Sequence, residues 1–155
     1  MAEGITLVRG GGELLEHVRP LWQRLNRHHE ERSRHFADVF AGNTFEKRRA
    51  NILTHGTQGL HVIMAQMDSG AYAGYCVSTI NDSRAGEVDS LYLLPDLRGQ
   101  GIGELLVQES ISWLKAQGVT RIFLEVSAGN EEAYGFYAKL GFFPAKIILE
   151  QKEVR

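Results

Sequence analysis

The sequence predicts a single mixed α/β domain spanning residues 1–155. Apolar residues recur at spacings of three and four over 14–29, a pattern that is typical of an amphipathic helix. Several strand-like runs follow, and then a second helical pattern over 102–117. A chain of 155 residues is long enough to bury a full core, and it contains no internal repeat and no linker.

The first third of the chain predicts one short strand and three helical segments. Pro20 inside the first helix predicts a kink or a break, because proline cannot donate a helical hydrogen bond. Asn43 followed by Glu46 resembles a capping box, which would start the third helix. The predicted segments are, in order, a strand over 5–8 and helices over 14–29, 36–40 and 45–53.

The remaining elements are strands interrupted by two helices. A turn at Asp68-Ser69-Gly70 joins the first two strands into a hairpin, and Pro95 stops pairing of the third. Alternation along that third strand predicts four side chains on one face, namely Glu87, Asp89, Leu91 and Leu93. The predicted elements are strands over 60–67, 71–81 and 87–94, a helix over 102–117, a strand over 119–126, a helix over 130–140 and a last strand over 143–150.

Composition argues against several classes of protein. A net charge of -2 gives no electrostatic reason to expect nucleic-acid binding, and no apolar run is long enough to span a membrane. Residues 1–4 lack a basic region followed by an apolar core, so no signal peptide is expected. The single cysteine, Cys76, allows no intrachain disulfide and is interpreted as a small core residue. The sequence therefore predicts a cytoplasmic protein with no nucleic-acid or membrane partner.

A glycine-rich turn between the third strand and the helix that follows reads Arg98-Gly99-Gln100-Gly101-Ile102-Gly103. The first backbone N–H groups of a helix lack partners and point in one direction, where the helix dipole favours an anion. Gly101 and Gly103 have no Cβ, so a phosphate could approach the backbone closely. Arg98 adds a fixed positive charge. The turn therefore predicts a pyrophosphate site.

Two familiar phosphate-binding patterns do not fit this turn. The dinucleotide pattern G-x-G-x-x-G would require glycine where Glu104 stands, and a carboxylate there would repel a phosphate. The P-loop pattern G-x-x-x-x-G-K-[ST] is absent from the chain.

Two segments together resemble a known family. Residues 91–103 resemble motif A of the GNAT superfamily of N-acetyltransferases, which bind the pyrophosphate of acetyl-coenzyme A there. Residues 130–142 resemble motif B of the same superfamily and match every fixed position of N-x-x-A-x-x-F-Y-x-K-x-G-F. The resemblance covers roughly the C-terminal half of the chain. It implies a central twisted mixed sheet of about six to seven strands flanked by about four helices, with acetyl-coenzyme A as cosubstrate and no metal.

The resemblance also implies roles for individual residues. Tyr137 would protonate the departing thiolate, with Tyr134 as the alternative phenol and plain aromatic packing as the alternative role. The backbone of the motif A strand would stabilise the oxyanion, and Asn130 would bind the pantetheine chain or cap a helix. The implied cofactor-binding residues are Leu91, Tyr92, Leu93, Arg98, Gly99, Gln100, Gly101, Ile102, Gly103, Asn130 and Tyr137.

Two carboxylates are candidates for the base that takes the proton of the acceptor amine. Glu87 and Asp89 lead toward the thioester end of the predicted cleft, and either could act directly or through water. In polyamine-type relatives the acidic position corresponds to Asp89. The alternatives are that both are solvated carboxylates, or that no dedicated base exists.

A cluster of histidines near the end of the first helix comprises His28, His29 and His35, with Glu30 and Glu31 between them. The order H-H-E-E-R is not the zinc pattern H-E-x-x-H, so we expect a solvated helix end and no metal. The alternative is a part of the acceptor pocket, which this region lines in the resembling family.

The function predicted from the sequence is transfer of an acetyl group from acetyl-coenzyme A to a primary amine, by direct attack in a ternary complex. Acidic side chains such as Asp38 and Glu31 favour a small cationic amine. A protein or peptide N-acetyltransferase and a non-catalytic acyl-coenzyme A-binding module are the alternatives. Dimers are common in this superfamily, so a homodimer is compatible with the sequence, although no feature demands one.

Overall fold

A five-stranded sheet forms the middle layer of the fold. The computed structural model describes residues 4–154; residues 1–3, which enter the expectation that no signal peptide is present, and Arg155 lie outside the described part. The strands are β1 (Ile5–Gly10), β2 (Gly59–Met67), β3 (Tyr72–Ile80), β4 (Ala85–Leu93) and β5 (Arg121–Phe123). They lie side by side in this order, with antiparallel pairing from β1 to β4 and parallel pairing between β4 and β5. The mixed α/β fold is thus confirmed.

The helices of the described residues are α1 (Leu15–Arg32), α2 (Ala37–Ala41), α3 (Phe45–His55), α4 (Ile102–Ala116) and α5 (Ala133–Ala138). The predicted break at Pro20 is wrong, because α1 runs through it without interruption. The predicted capping box is also wrong. Thr44 is the N-cap of α3 and accepts a hydrogen bond from the backbone of Lys47 (3.3 Å). None of these helices is long and apolar enough to cross a membrane.

Each face of the sheet carries its own core because side chains alternate along the strands. Val62 and Met64 of β2 point to the layer formed by α1 and α3, whereas Ile63 and Ala65 point to α4. All four side chains are fully buried. The fully buried members that α1 and α3 add on the first face are Leu15, Val18, Phe45 and Ile52, and those that α4 adds on the other are Ile102, Leu106 and Leu114.

A bulge in β4 changes the alternation that the sequence predicts. Val77 of β3 pairs with Ser90, and the next residue, Ser78, pairs with Val88, so Asp89 has no partner across the strand. Because of the extra residue, side chains before and after the bulge follow opposite alternation patterns. The prediction that Glu87 and Asp89 share a face with Leu91 and Leu93 is therefore wrong. The carboxylates face α3, whereas the leucines belong to the core beneath α4.

A cleft opens between β4 and β5. The two strands pair only at Ala85 with Arg121, Gly86 with Ile122 and Glu87 with Phe123. Beyond this point β4 continues to Leu93, but β5 has ended. The predicted strand over 119–126 is thus real but shorter. Its early end leaves one edge of β4 without a strand partner, beginning next to Glu87.

The C-terminal part of the chain differs from the prediction. Residues 143–150 form no strand, so the described sheet has five strands rather than six to seven. The exposed fractions of Phe143 and Leu149 are 73% and 92%. A strand needs a partner edge, and the three residues of β5 offer little edge to pair with.

Gly129, in the loop before α5, packs against the backbone at the end of α1. Its φ of +99° is rare for side-chain-bearing residues, and a Cβ at this position would overlap the carbonyl oxygen of Arg32. Arg32 also forms an ion pair with Glu132. This contact brings the first helix next to the segment that carries motif B.

We expect Gly129→Ala to destabilise the fold by about 2 kcal/mol or more, because it adds backbone strain to a steric overlap. Thermal unfolding monitored by circular dichroism measures the effect. Gly135→Ala is the matched control, since Gly135 lies in α5 with no atom within 4 Å of its missing Cβ. That variant should be neutral or slightly stabilising. Equal melting temperatures for the two variants would contradict the overlap at Gly129.

Candidate active site

The glycine-rich turn adopts the shape of an anion site at the start of α4. Gly99 and Gly101 have φ values of +80° and +84°, and Gly101 is the N-cap of the helix. Leu105 is the residue that donates to the carbonyl of Gly101 (3.0 Å), so the N–H groups of residues 102–104 have no acceptor one turn earlier. These donors and the helix dipole favour a phosphate.

The glycines of this turn serve different purposes. No atom lies within 4 Å of a Cβ built at Gly99 or Gly101, so the positive φ is what requires glycine there. A Cβ at Gly103 would lie 3.6 Å from the ring of Phe136, an ordinary contact, so helix packing does not demand glycine at this position. Glu104, the residue that breaks the dinucleotide pattern, accepts from Gln108 one turn further along α4 (3.3 Å).

Arg98 attaches the turn to the end of β4. Its Nε donates to the carbonyl of Leu93 (2.9 Å), and its guanidinium lies over the ring of Tyr92, 5.3 Å from the centroid. Gln100 makes only a long contact, 3.5 Å, to the carbonyl of Asp96. The charge predicted for the pyrophosphate site is therefore present, and it is fixed by the strand that borders the cleft.

The open edge of β4 presents backbone donors to the cleft. Leu94 donates to Ala73 of β3 (2.9 Å), and in an antiparallel strand alternate residues point to opposite neighbours. The N–H groups of Leu91 and Leu93 therefore point away from β3, into the space that β5 has vacated. This is the geometry that an extended ligand or a developing oxyanion requires.

Tyr137 lies on α5 between two aromatic neighbours. Its ring makes edge contacts with Phe136 (5.1 Å between centroids) and Phe142 (6.1 Å), and none of the described residues bonds its hydroxyl. Burial raises the pKa of Tyr137, and nearby Cys76 raises it further. The phenol is therefore protonated at neutral pH and free to donate. The alternative phenol, Tyr134, is 40% exposed on the same helix.

Asn130 does not cap α5. The helix begins at Ala133, and Asn130 contributes to the preceding turn only through its backbone, which donates to Ser127 and accepts from Ala133 (3.0 Å each). Its side-chain amide has no partner among residues 4–154. The amide is therefore available to a ligand, and the helix-cap interpretation is wrong.

Asp89 is almost fully enclosed, with 1% of its side chain exposed. Arg48 donates to Oδ1 (2.7 Å) and also to the backbone carbonyl of Asp89. Oδ2 lies 2.8 Å from Nδ1 of His55 and accepts from the hydroxyl of Thr79 (3.0 Å). Both oxygens of the carboxylate are occupied, so the geometry suits an anchor better than a base.

Glu87 is placed differently from Asp89. Its side chain is 13% exposed, and no described donor makes a hydrogen bond to it; Nδ1 of His55 lies 3.9 Å away. Burial raises the pKa of Glu87 to about 7, helped by the charges of Asp89 and Glu125 and opposed by those of His55 and Arg48. A free carboxylate that titrates near neutral pH has the properties of a general base.

Sequence reasoning missed Arg48 and His55. Both lie on α3 at helical spacing from buried Ile52, so they share its inward face. A charged residue on the apolar side of a helix is the signal that could have found them. Together with Glu87 and Asp89 they form the polar floor of the site on the α3 side of the sheet.

The histidine cluster at the end of α1 is only partly solvated. His29 packs against Phe40, 5.4 Å between ring centroids, and burial lowers the pKa of His29 to about 4. Within the described residues, potential metal ligands converge at His55, Glu87 and Asp89 instead. The guanidinium of Arg48, 2.7 Å from Asp89, does not suit a cation site there.

A groove of about 880 Å³ runs along the end of α1. Its walls come from the α1–α2 connection, the loop before α5 and the C-terminal segment, and they mix both charges with apolar side chains. The lining residues are Glu31, Arg32, Ser33, Arg34, His35, Phe36, Ala128, Gly129, Glu131, Ile147, Ile148, Leu149, Glu150 and Lys152.

Comparison with known sequences identifies relatives along most of the chain. An uncharacterized N-acetyltransferase of Mycobacterium tuberculosis is 32% identical over 108 residues, which are 70% of this chain and 67% of the relative. The L-methionine sulfoximine/L-methionine sulfone acetyltransferase of Pseudomonas aeruginosa is 32% identical over 101 residues, covering 61% of this chain and 58% of that protein. A peptidyl-lysine N-acetyltransferase of Salmonella typhimurium is 44% identical over 55 residues, 36% of this chain and 34% of the relative.

Solved structures share the fold. Aminoglycoside N-acetyltransferase AAC(6')-Iy, in complex with coenzyme A, superposes with a TM-score of 0.67 at 19% identity, covering 98% of this chain and 97% of the other. An acetyltransferase of the GNAT family from Staphylococcus aureus Mu50 gives 0.72 at 16% identity over 92% and 86%. The sequence pattern of the acetyltransferase (GNAT) family matches residues 15–142. These matches, together with the anion turn and the β4–β5 cleft, show that the chain belongs to the GNAT family and is an N-acetyltransferase that uses acetyl-coenzyme A.

Proposed function

We propose that the enzyme acetylates a small cationic primary amine by direct attack in a ternary complex. The observation that carries this proposal is Glu87, a carboxylate with a pKa of about 7 that lies where β4 and β5 separate and has no hydrogen-bond partner among the described residues. Its neighbour Asp89 is paired with Arg48, so Glu87 and the nearby Glu125 supply the negative charge that would attract an ammonium group.

The proposed reaction has three steps: deprotonation of the amine, attack on the thioester and collapse of the intermediate. Glu87 removes a proton from the ammonium group, and the neutral nitrogen attacks the thioester carbonyl. Backbone N–H groups of Leu91 and Leu93 receive the oxyanion as the carbon becomes tetrahedral. The intermediate collapses with cleavage of the C–S bond, and Tyr137 gives its proton to the coenzyme A thiolate, whose pKa of about 8–9 resembles that of other thiols. The nitrogen then loses its second proton to the Tyr137 phenolate, which restores the phenol and leaves a neutral amide.

Acetylation of a peptide or protein amine is the second candidate. The groove along α1 is open, and it is lined by the apolar side chains of Phe36, Ile147 and Leu149 together with charged residues. An extended peptide suits such a surface better than a small amine does. If the groove receives the acceptor, the C-terminal segment takes part in choosing it.

A panel of amines tests both candidates. Coenzyme A release is measured with polyamines, aminoglycosides, amino-acid derivatives, lysine peptides and free peptide N-termini, after calorimetry has compared acetyl-coenzyme A with NADH. Thiol release on one small amine class supports the proposal, and release on peptides alone replaces it with the second candidate. Tight cofactor binding without release on any acceptor favours a non-catalytic binding module. A cytoplasmic location and a homodimer stay predictions, to be checked by fractionation and light scattering.

Glu87→Gln is expected to lower kcat/KM by about 100-fold or more, the usual size of a general-base contribution. The ionised form of Glu87 is the active one, so the wild-type rate should rise as pH passes through about 7, and the variant should lose this limb. Glu125→Gln is the control: it removes an exposed carboxylate of the same site and should change kcat/KM only a few-fold. A Glu87→Gln variant that keeps the wild-type limb would exclude Glu87 as the base.

Glu87→Gln should also raise the stability of the folded protein at alkaline pH. The pKa of Glu87 is higher in the folded protein than its ordinary value of 4.5, so the folded state holds the proton more tightly. Stability conferred by this group is therefore present at low pH and is lost as pH rises through about 7. We expect Glu87→Gln to unfold at a higher temperature than wild type at pH 8, and the gain to shrink at pH 5.

A further inference from the structure

His55, the last residue of α3, lies against both carboxylates of β4. Its Nδ1 is 2.8 Å from Oδ2 of Asp89 and 3.9 Å from Oε1 of Glu87, while 43% of its side chain is exposed. The imidazole therefore has one nitrogen committed to a buried carboxylate and an edge open to solvent.

The bonds of Asp89 determine the tautomer of His55. Arg48 donates to one carboxylate oxygen of Asp89 and Thr79 to the other, so both oxygens act as acceptors in this network. The network thus assigns a hydrogen to Nδ1 of His55, directed at Asp89.

Without His55, the charged groups that act on Glu87 would be two carboxylates and one guanidinium. Asp89 on β4 and Glu125 after β5 oppose its ionisation, while Arg48 and His55 on α3 favour it. Arg48 is already engaged by Asp89 at 2.7 Å. The imidazole is consequently the group that can offset the charge of Glu87, and the C-terminal end of α3 favours a cation at this position.

We propose that His55 is a positioning residue for proton transfer: fixed by Asp89, its imidazole keeps Glu87 in the ionised form that accepts the amine proton. In that step the N–H bond of the ammonium breaks and an O–H bond forms on Glu87. His55 does not touch the amine and acts through Glu87, so this inference rests on the proposed function.

The test uses two substitutions with opposite consequences. His55→Asn places an amide N–H near the position of Nδ1, so the bond to Asp89 is kept while the chargeable ring is lost. His55→Lys supplies a charge without the ring. We expect the acidic limb of kcat/KM to move up by about one pH unit in the Asn variant, roughly a tenfold loss at pH 6, and to return in the Lys variant. Thr54→Asn, at the exposed neighbouring position, is the control and should match wild type.

A second readout separates the two proposals. The side-chain carboxyl of Glu87, labelled with carbon-13, should titrate at a higher pH in the Asn variant than in the wild-type enzyme. Unshifted titration and an unshifted limb in that variant would overturn the role of His55, even if Glu87→Gln loses the limb as the proposed function requires. A uniform loss at all pH values that lysine does not restore would also overturn it, since this is the mark of a purely structural contact. If Glu87→Gln keeps the limb, both proposals fail.

Discussion

Gly101→Glu is expected to abolish acetyl-coenzyme A binding, with an affinity loss of at least about 100-fold. The substitution directs a carboxylate at the N–H groups that would hold the pyrophosphate. It also forces a side-chain-bearing residue to adopt a φ of +84° at the N-cap of α4. Calorimetric titration with acetyl-coenzyme A measures the loss.

Gly118→Glu is the control that separates charge at the anion site from backbone strain. Gly118 follows the other end of α4, has a φ of +74° and has no atom within 4 Å of its missing Cβ. The two variants therefore add the same charge at comparable conformations. Gly118→Glu should lose some stability and keep its affinity. Retained binding in Gly101→Glu would remove the pyrophosphate assignment.

Tyr137→Phe is expected to lower kcat by about 100-fold and to leave acetyl-coenzyme A affinity nearly unchanged. Only the hydroxyl is removed, and it has no partner among the described residues, so the ring contacts with Phe136 and Phe142 persist. The loss should therefore appear in the chemical step and be absent from the melting temperature. Stopped-flow measurement of thiol release isolates that step.

Tyr134→Phe serves as the comparison for Tyr137→Phe. Tyr134 is 40% exposed on the same helix, so its hydroxyl should be dispensable. Undiminished turnover in Tyr137→Phe would leave Tyr137 as a packed aromatic and transfer the role of the acid to water. Reduced turnover in Tyr134→Phe alone would assign the acid to that residue instead.

Features that depend on neighbours in sequence were predictable. The turn around Gly101 was identified because positive φ, small residues and a following helix leave a local pattern. The order of helices and strands from β1 to α5 followed from apolar periodicity, and the hairpin between β2 and β3 from its short polar turn.

Features that depend on distant contacts were not predictable. Arg48 and His55 reach Asp89 across 41 and 34 residues of sequence, and no local pattern records that meeting. The bulge at Asp89 is invisible to an alternation rule, which assumes one residue per partner. Residues 143–150 have the composition of a strand, but composition does not supply the partner edge that a strand requires.

The bulge in β4 makes the two parts of one strand independent of each other in evolution and in design. Glu87, before the bulge, is the proposed contact with the acceptor, and Leu91 and Leu93, after it, present their backbone to the cleft proposed for acetyl-coenzyme A. If Glu87 contacts the acceptor as proposed, a substitution there would change which amine reacts without altering the alternation that places Leu91 and Leu93. Deleting Asp89 would instead make the pairing with β3 regular and leave Glu87 opposite Thr79, but it would remove the carboxylate that binds Arg48 and His55 of α3. Along this strand, a substitution at Glu87 leaves the bulge intact, whereas loss of the bulge residue removes the anchor of α3.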